Sequence, residues 1–514
     1  MAGGSPIAIG PFVGGLNSFS DPTAVADNEL VKCENFELDL DGSLVSRPPI
    51  ADNGITFPLG VTGNFSILGY YYAQGGVAYL IGSDGLNSTY YFTGSAWTIL
   101  TNTIAASAVT QFNDFAWLMA PVGSANPGGY WSPAGGFVAD ANMPKGEIIV
   151  ANKSRLWVSA GRDATANGTR LYFSKVLGTV PFWPVVTDFL DIGAGDGQNI
   201  VQIVVYFNSL LLFRTNSVYS FQFSSDPASG SVSLIIPGVG LADKDAIAAY
   251  EGYLYFMYKD RAYEFYNNRA TQINVKAPLV AISRANQYKS YSVSVFGNRA
   301  IFSFFDTMFV FSLKTRTWTT WYSTLRGPIG RIVPLANSGQ FLTAILHSST
   351  TVPLGGTRVA KTLFLTDGLT TDVEAMNCIA VTKNYNYEAT SAYKRLFWWG
   401  VDATFRSQVT AVATPIVYNY AVTWGVLRTV TWATLKNYTW GQPITGTLSV
   451  QTVRDTAGSF SIRKFVKFSK SIWFRQVNFR VNFTTDGSIN TAPVRLFSLM
   501  TYVTSKQRVS KTIS

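Results

Sequence analysis

Residues 67–100 read ILGYYYAQGGVAYLIGSDGLNSTYYFTGSAWTIL, and this stretch decides the fold. Four short β-rich runs, Ile67 to Ala73, Val77 to Gly82, Thr89 to Thr93 and Trp97 to Leu100, are separated by Gly75-Gly76 and Asp84-Gly85, pairs that favour tight hairpins. The reading is one four-stranded antiparallel meander. The same grammar returns at 290–322, where Ser290 to Phe296, Arg299 to Phe305, Met308 to Leu313 and Thr317 to Tyr322 are broken by Gly297-Asn298 and Asp306-Thr307. Trp318 stands where Trp97 stood. Weaker copies centre on Phe112–Trp117, Arg155–Val158 with Leu171–Phe173, Leu210–Phe213 with Val218–Phe221, Tyr253–Tyr258 with Ala262–Tyr266, and Phe341–Leu346 with Thr362–Leu365. Starts spaced about 40 to 55 residues apart fit the blade period of a β-propeller, giving about six or seven blades. A two-sheet sandwich shares the alternation but not the period.

Outward from the repeat the pattern changes twice. Residues 371–514 carry longer alternating strands, such as Arg475 to Phe483 and Val494 to Val503, split at Thr485-Asp486-Gly487; this reads as a β-sandwich. Residues 1–60 form an arm: Asp27 can cap a short helix through Val31, and a hairpin turns at Asp41-Gly42. The expected organisation is an acidic arm over 1–60, an all-β propeller over 61–370 and a basic β-sandwich over 371–514.

Composition agrees. The 514 residues are 47% hydrophobic and 14% charged, enough apolar material for a large core and too little charge for a disordered chain. No apolar run reaches the roughly 18 residues of a membrane span, and the first fifteen residues lack the basic start of an export signal. Two cysteines, Cys33 and Cys378, cannot make a disulfide framework or a thiolate zinc site and are expected as buried free thiols. The single histidine, His347, lies in an apolar run and reads as structural.

Chemistry-bearing motifs fail one by one. Asp39-Leu40-Asp41-Gly42-Ser43 starts like a calcium loop but lacks the late acidic ligand. The glycine-rich run Asp191 to Gly197 matches neither phosphate-binding spacing, and a strand follows it instead of a helix, so it reads as a loop between blades. A propeller hydrolase needs two carboxylates on one face, which spacing does not reveal, and Ser83-Asp84-Gly85 is no repeated sialidase box. No catalytic residue, metal ligand or cofactor site is expected, and the chain reads as a non-enzyme.

Charge is polarised between the ends. Residues 1–60 hold six more acids than bases, among them Asp27, Glu29, Glu34, Glu37, Asp39 and Asp41. Residues 461–514 hold nine more bases than acids, among them Arg463, Lys464, Lys467, Lys470, Lys506, Arg508 and Lys511. Opposite potentials steer and register contacts, so these two sets are the candidate assembly residues, the basic one also a candidate channel lining. Phe465, Phe468, Trp473, Phe474 and Phe479 interleave with the bases; strict alternation assigns the rings to a core and leaves the basic face free for an acidic neighbour or for DNA.

Several short motifs carry a resemblance. Phe12-Val13-Gly14-Gly15-Leu16-Asn17, Asp21-Pro22, Asp27-Asn28-Glu29, Glu34-Asn35-Phe36 and Asp41-Gly42-Ser43-Leu44 to Arg47-Pro48 resemble the opening of tailed-bacteriophage virion proteins that continue into a propeller. Asn208 to Phe213 through Val218 to Phe221 is similar to a strand pair in the tail hub, or nozzle, proteins of short-tailed phages. Phe474 to Val481 with Ala492 to Leu496 is similar to their terminal sandwich. The resemblance implies a structural virion protein, made in the host cytoplasm and resident in the tail. It implies a homo-oligomeric ring of about six copies, or about three at a tail tip, that closes or extends the tail channel. Expected partners are other tail, connector or fibre proteins, with transient non-specific contact to exiting DNA. The competing reading is a glycan- or receptor-binding propeller that serves adsorption; a propeller glycoside hydrolase is the third.

Overall fold

The computed structural model describes residues 6–48, 50–56, 65–93, 96–179, 182–184, 188–193, 195–276, 291–304, 307–322, 329–334, 340–347, 359–366, 376–385, 394–406, 409–419, 444–447, 451–453, 459–474, 476–485 and 494–505. Among them regular structure is β-strand throughout, apart from the single 3-10 turn Pro227–Ser229, so the all-β class is as expected.

Seven four-stranded antiparallel units follow one another along the chain. Sheet 1 comprises Ser66–Tyr72, Ala78–Ser83, Thr89–Phe92 and Trp97–Thr101. Sheet 2 comprises Ala108–Phe112, Phe115–Met119, Gly129–Ser132 and Gly136–Ala139. Sheet 3 runs from Ile148–Asn152 to Phe189–Asp191, sheet 4 from Ile200–Tyr206 to Ser231–Pro237, and sheet 5 from Ile247–Tyr250 to Arg269–Gln272. Sheet 6 holds Tyr291–Phe296, Arg299–Phe304, Thr307–Ser312 and Trp318–Tyr322. Sheet 7 holds Ile329–Pro334, Gln340–His347 and Val359–Thr366, and its fourth strand is Ile50–Thr56 from the start of the chain. Among the described residues no sheet closes on itself.

Burial grades across each unit. Second strands are buried on both faces: every residue of Ser209–Arg214 is inside, as are Ala116 to Met119 and Leu254 to Tyr258. Such strands read as unbroken apolar runs because both faces meet a neighbouring sheet. Fourth strands such as Gly136–Ala139 and Ser231–Pro237 are mostly exposed. Hairpin tips use residues that tolerate the left-handed backbone; Asn113 and Asp114 lie at φ 47° and 58°, and Asn267 and Asn268 at 48° and 58°.

Apolar clusters sit between consecutive units. Leu68, Tyr71 and Ile81 of sheet 1 pack with Leu118 and Trp131 of sheet 2, and Trp117 and Met119 of sheet 2 pack with Leu156 and Val158 of sheet 3. Trp157 joins sheet 3 to Leu212 and Phe221 of sheet 4, and the Phe213 ring of sheet 4 lies 5.3 Å from Phe256 of sheet 5. The first strand of sheet 5 packs on that of sheet 6, sheet 6 on sheet 7, and the first strand of sheet 7 packs back on sheet 1.

The two chain ends are woven together. Glu29–Glu34 touches the last strand of sheet 6 at Glu34 opposite Thr320 and pairs antiparallel with Asn377–Thr382, which pairs with Gln476–Thr485. In a second end sheet, Lys394–Arg406 lies between Ser459–Phe474 and Arg495–Ser505, and Leu44–Ser46, Phe36–Leu38 and Pro6–Ile9 add on from the arm. Phe36, Cys33, Leu396, Phe483 and Leu496 belong to one core, with Phe36 edge-on to Phe483 at 6.1 Å. The short helix expected after Asp27 does not form. Leu30 and Cys33 are fully buried on a strand whose partner lies near residue 380, so tertiary pairing overrides the local cap signal. Cys33 and Cys378 are buried and free, and burial pushes the Cys33 thiol well above its ordinary value.

Candidate functional site at the cavity between sheets 1 to 5

The first strands of sheets 1 to 5 surround a cavity of about 520 Å³, lined by Ser66, Thr110, Glu147, Gln202, Lys244 and Asp245 among others. Ser66, Thr110 and Gln202 come from the first strands themselves, and Glu147, Lys244 and Asp245 from the segments that lead into sheets 3 and 5. Lys244, just before sheet 5, donates from Nζ to the Ser107 carbonyl ahead of sheet 2 at 2.9 Å, and Gln202 of sheet 4 donates from Nε2 to the Lys244 carbonyl at 2.8 Å. One lysine therefore ties sheet 5 to sheet 2. Ser107 Oγ in turn donates to the Gly146 carbonyl at 2.6 Å, next to Glu147.

Glu147 needs Gly161 beside it. Gly161 has φ +99°, and a Cβ there would sit 2.6 Å from Glu147 Oε2, so conformation and space both call for glycine. Burial pushes the Glu147 carboxyl up; Lys244 opposes this, while Asp163 and Asp245 reinforce it. Burial likewise raises Asp243, with help from the Asp245 charge and against hydrogen bonding and the charges of Lys244 and Arg162, to about 6. Arg162 donates from Nη1 to the Ala242 carbonyl. Four carboxyls thus interact with two cations here, and burial raises two of them, Glu147 and Asp243. Asp243 takes up its proton at mildly acidic pH, and Glu147 and Asp245 both line the cavity. Among the described residues no group of three or more His, Cys, Asp or Glu is placed to hold a metal ion.

The glycine-rich run 191–197 does different work. Arg214 is completely buried, and its guanidinium donates to Asp196 Oδ2 at 2.8 Å, Asp196 Oδ1 at 2.5 Å and the carbonyls of Gly193 and Gln198. A Cβ at Gly193 would meet Arg214 Nη1 at 2.1 Å, so this loop is the jacket of an arginine. Burial disfavours the Asp196 charge, but the hydrogen bonds and charge of Arg214 outweigh it and hold the carboxyl below its ordinary value.

The six candidate acids of the arm each have an ion partner within their own chain. Asp27 pairs with Lys383; Glu29 with Lys276 at 2.5 Å; Glu34 with Lys32 at 2.6 Å; and Glu37 with Arg299 at 2.5 Å. Arg495 takes both Asp39, at 2.9 Å, and Asp41, at 3.6 Å. Of the basic set, Arg463, Lys464, Lys467 and Lys470 lie on the strand Ser459–Phe474, with Arg463 opposite Asp402 and Lys467 opposite Trp398 in register. Lys506, Arg508 and Lys511 lie outside the described residues. The structure brings the acidic set into the woven ends and away from the cavity. Sequence reading missed Glu147, Arg162, Asp243 and Lys244; the charged run Asp243-Lys244-Asp245 in a chain with so few charges was the available signal.

No family model matches the chain, and no curated protein matches it in sequence. Among solved structures it is similar to the extracellular domain of the one component system BT4673 from B. thetaiotaomicron, at 8% identity over 92% of this chain and 62% of that one, TM-score 0.43. It is also similar to the WD40 domain of Neurospora crassa Pan2, at 8% identity over 63% of this chain and 98% of that one, TM-score 0.40. The computationally designed Ika8 protein aligns at 8% identity over 61% of this chain and 100% of that one, TM-score 0.37. Scores this low decide neither fold nor function.

Proposed function

We propose that the seven four-stranded sheets are blades of a β-propeller, that the two end sheets form a β-sandwich, and that the chain is a structural protein of a phage tail. The propeller reading is supported by the succession of first-strand contacts, by the return of sheet 7 onto sheet 1, and by the arm strand Ile50–Thr56 completing sheet 7. In this reading the protein forms a homo-oligomeric ring, a nozzle, hub or tail tip, that holds neighbouring tail or fibre proteins, carries out no catalysis and touches DNA only as it passes.

One observation carries the functional reading. The short motifs of the phage resemblance come from both ends of the chain, and they meet. Asn35, at φ 56°, accepts from Arg47 Nε at 3.0 Å and from the Tyr322 amide at 2.8 Å, and donates to the Asn377 carbonyl at 2.7 Å. It joins the arm, sheet 6 and the C-terminal segment. Asn17 donates to Glu29 at 2.7 Å, the Ser46 amide donates to the Val494 carbonyl at 2.8 Å, and Phe479 and Leu496 are in the shared core. The motifs at the two ends of the chain therefore serve one structural purpose, fastening a propeller to its sandwich. Because six acids of the arm are paired within their own chain, contacts between copies would fall to other residues, those of the basic set among them.

Native mass measurement and electron-microscope class averages of the purified chain, with and without tail components, test the reading. Rings of about six or about three copies, or entry into tails, are expected. A stable monomer that never enters particles overturns it. Charge reversal at Lys464, Lys467 and Lys470 is expected to weaken assembly, and unchanged assembly would remove that strand from the interface.

A further inference from the structure

We propose that the turn tips of sheets 4 and 5 form a stacking platform for a neutral saccharide. The proposal stands whatever the oligomeric state. Phe207 sits at the tip between Ile200–Tyr206 and Ser209–Arg214 with φ 49°, a left-handed backbone that bulky side chains rarely adopt, and it is 76% exposed. The matching tips of sheets 2, 3 and 5 carry Asn113-Asp114, Lys153-Ser154 and Glu251-Gly252, residues that suit a turn in water. A strained backbone that holds an apolar ring in solvent works against folding, and strain of this kind gathers at binding sites.

The ring does not stand alone. Phe207 lies edge-on to Tyr206 at 4.6 Å and beside Gly252, whose added Cβ would come within 3.5 Å of the ring. The Tyr206 hydroxyl donates to the Gly252 carbonyl at 2.9 Å and also bonds the backbone at Asn267, so it pins both tips of sheet 5. Beyond them Tyr253 stacks on Tyr266 at 4.5 Å and 20°, with Tyr255 next in the ladder at 6.4 Å from Tyr253. Tyr266 is 50% exposed at the outer end. Asn208, Asn267 and Asn268 share these turns with the rings, and Glu251 and Arg269 flank them in sequence with one charge of each sign.

This chemistry selects its occupant. A pyranose lays its C–H face on an aromatic ring as any apolar group does, while its hydroxyls reach sideways to amides and phenols. A nucleic acid also stacks on rings but needs a row of free cations for its phosphates, and here the border charges cancel. Fixed rings also cost little ordering entropy on binding.

Calorimetric titration of the full chain with cellohexaose, maltohexaose and chitohexaose tests the platform. Binding of at least one sugar is expected, weakened about tenfold or more by Tyr266→Ala and by Phe207→Asn. Asparagine tolerates the left-handed backbone, so Phe207→Asn is expected to raise the melting temperature while binding falls, and Phe19→Ser, at an exposed ring on the arm, is expected to leave affinity unchanged. Absence of binding to all three sugars, or equal affinity in wild type and both platform variants, overturns the proposal. A lower melting temperature for Phe207→Asn overturns the strain argument, because it would make the ring structural.

Discussion

Asp243, at the entrance to sheet 5, and Glu29, on the arm strand, are acids that each answer to a lysine, yet they titrate in opposite directions. Burial and the neighbouring Asp245 drive Asp243 up to about 6. Burial works against Glu29 as well, but hydrogen bonds from Lys276 and Asn17 outweigh it and leave the carboxyl below its ordinary value. The cavity packs like charges into a confined space, whereas the woven ends pair six acids of the arm with cations, Asp39 and Asp41 sharing Arg495. A carboxylate is a stabiliser in the second setting and a cost in the first, so proximity to a lysine alone does not decide its role.

The largest expected effect tests whether the ends are held by their apolar core or by those ion pairs. Phe36→Ala empties a fully buried site against Phe483 and is expected to cost about 3–5 kcal/mol in denaturant unfolding. A cost below about 1 kcal/mol would hand the weave to its charges. Arg214→Met leaves Asp196 and two loop carbonyls without their donor; about 3 kcal/mol or more should be lost. Wild-type stability in this variant would show that the buried guanidinium only fills space.

Acidity separates the two regions. A raised carboxyl binds its proton more tightly folded than unfolded, so the Asp243 charge costs stability above about pH 6, and the cost disappears as pH falls toward the ordinary 3.8. Asp243→Asn is therefore expected to be more stable than wild type at about pH 7.5, with the advantage shrinking below about pH 6. An advantage that ignores pH would place its origin outside titration. Glu29 has the opposite sign: its contribution is present above 4.5 and is lost as pH falls through its lowered folded value. Glu29→Gln should thus flatten the acid limb of the unfolding curve, and a limb that keeps its steepness would assign acid loss to other groups. Smallest is Arg495→Met, which removes two half-exposed pairs, with Asp39 and Asp41, and is expected to shift stability by about 1 kcal/mol or less. A thermal melt with a loss as large as that of Phe36→Ala would invert the comparison.

What could be read in advance follows the range of the interactions. The meanders at 67–100 and 290–322 were legible to within a residue or two because hairpin turns and strand alternation are local; the four strands of sheet 6 lie where the glycine and asparagine turns put them. Buried free cysteines also followed from their number. The weave was not legible. Nothing near Leu30 announces Thr382, its partner in register, and the cap signal at Asp27 pointed to a helix. Nor did the polarised ends announce that Asp27, Glu29, Glu37 and Asp39 pair with Lys383, Lys276, Arg299 and Arg495 of their own chain. The cavity cluster escaped because its members come from the entries to sheets 3 and 5 and from a loop inside sheet 3, with no shared motif.

The strand Ile50–Thr56 also has a history in time. It is made early, yet the strand it pairs with, Val359–Thr366, leaves the ribosome only after six intervening sheets have been synthesised. During that interval its backbone donors and acceptors have no native partner, and at about 5–20 residues per second the wait lasts tens of seconds. The last sheet is therefore completed only once residue 366 has been made, with the C-terminal segment still to come. A chain truncated before residue 359 leaves the strand Ile50–Thr56 without its partner in that sheet.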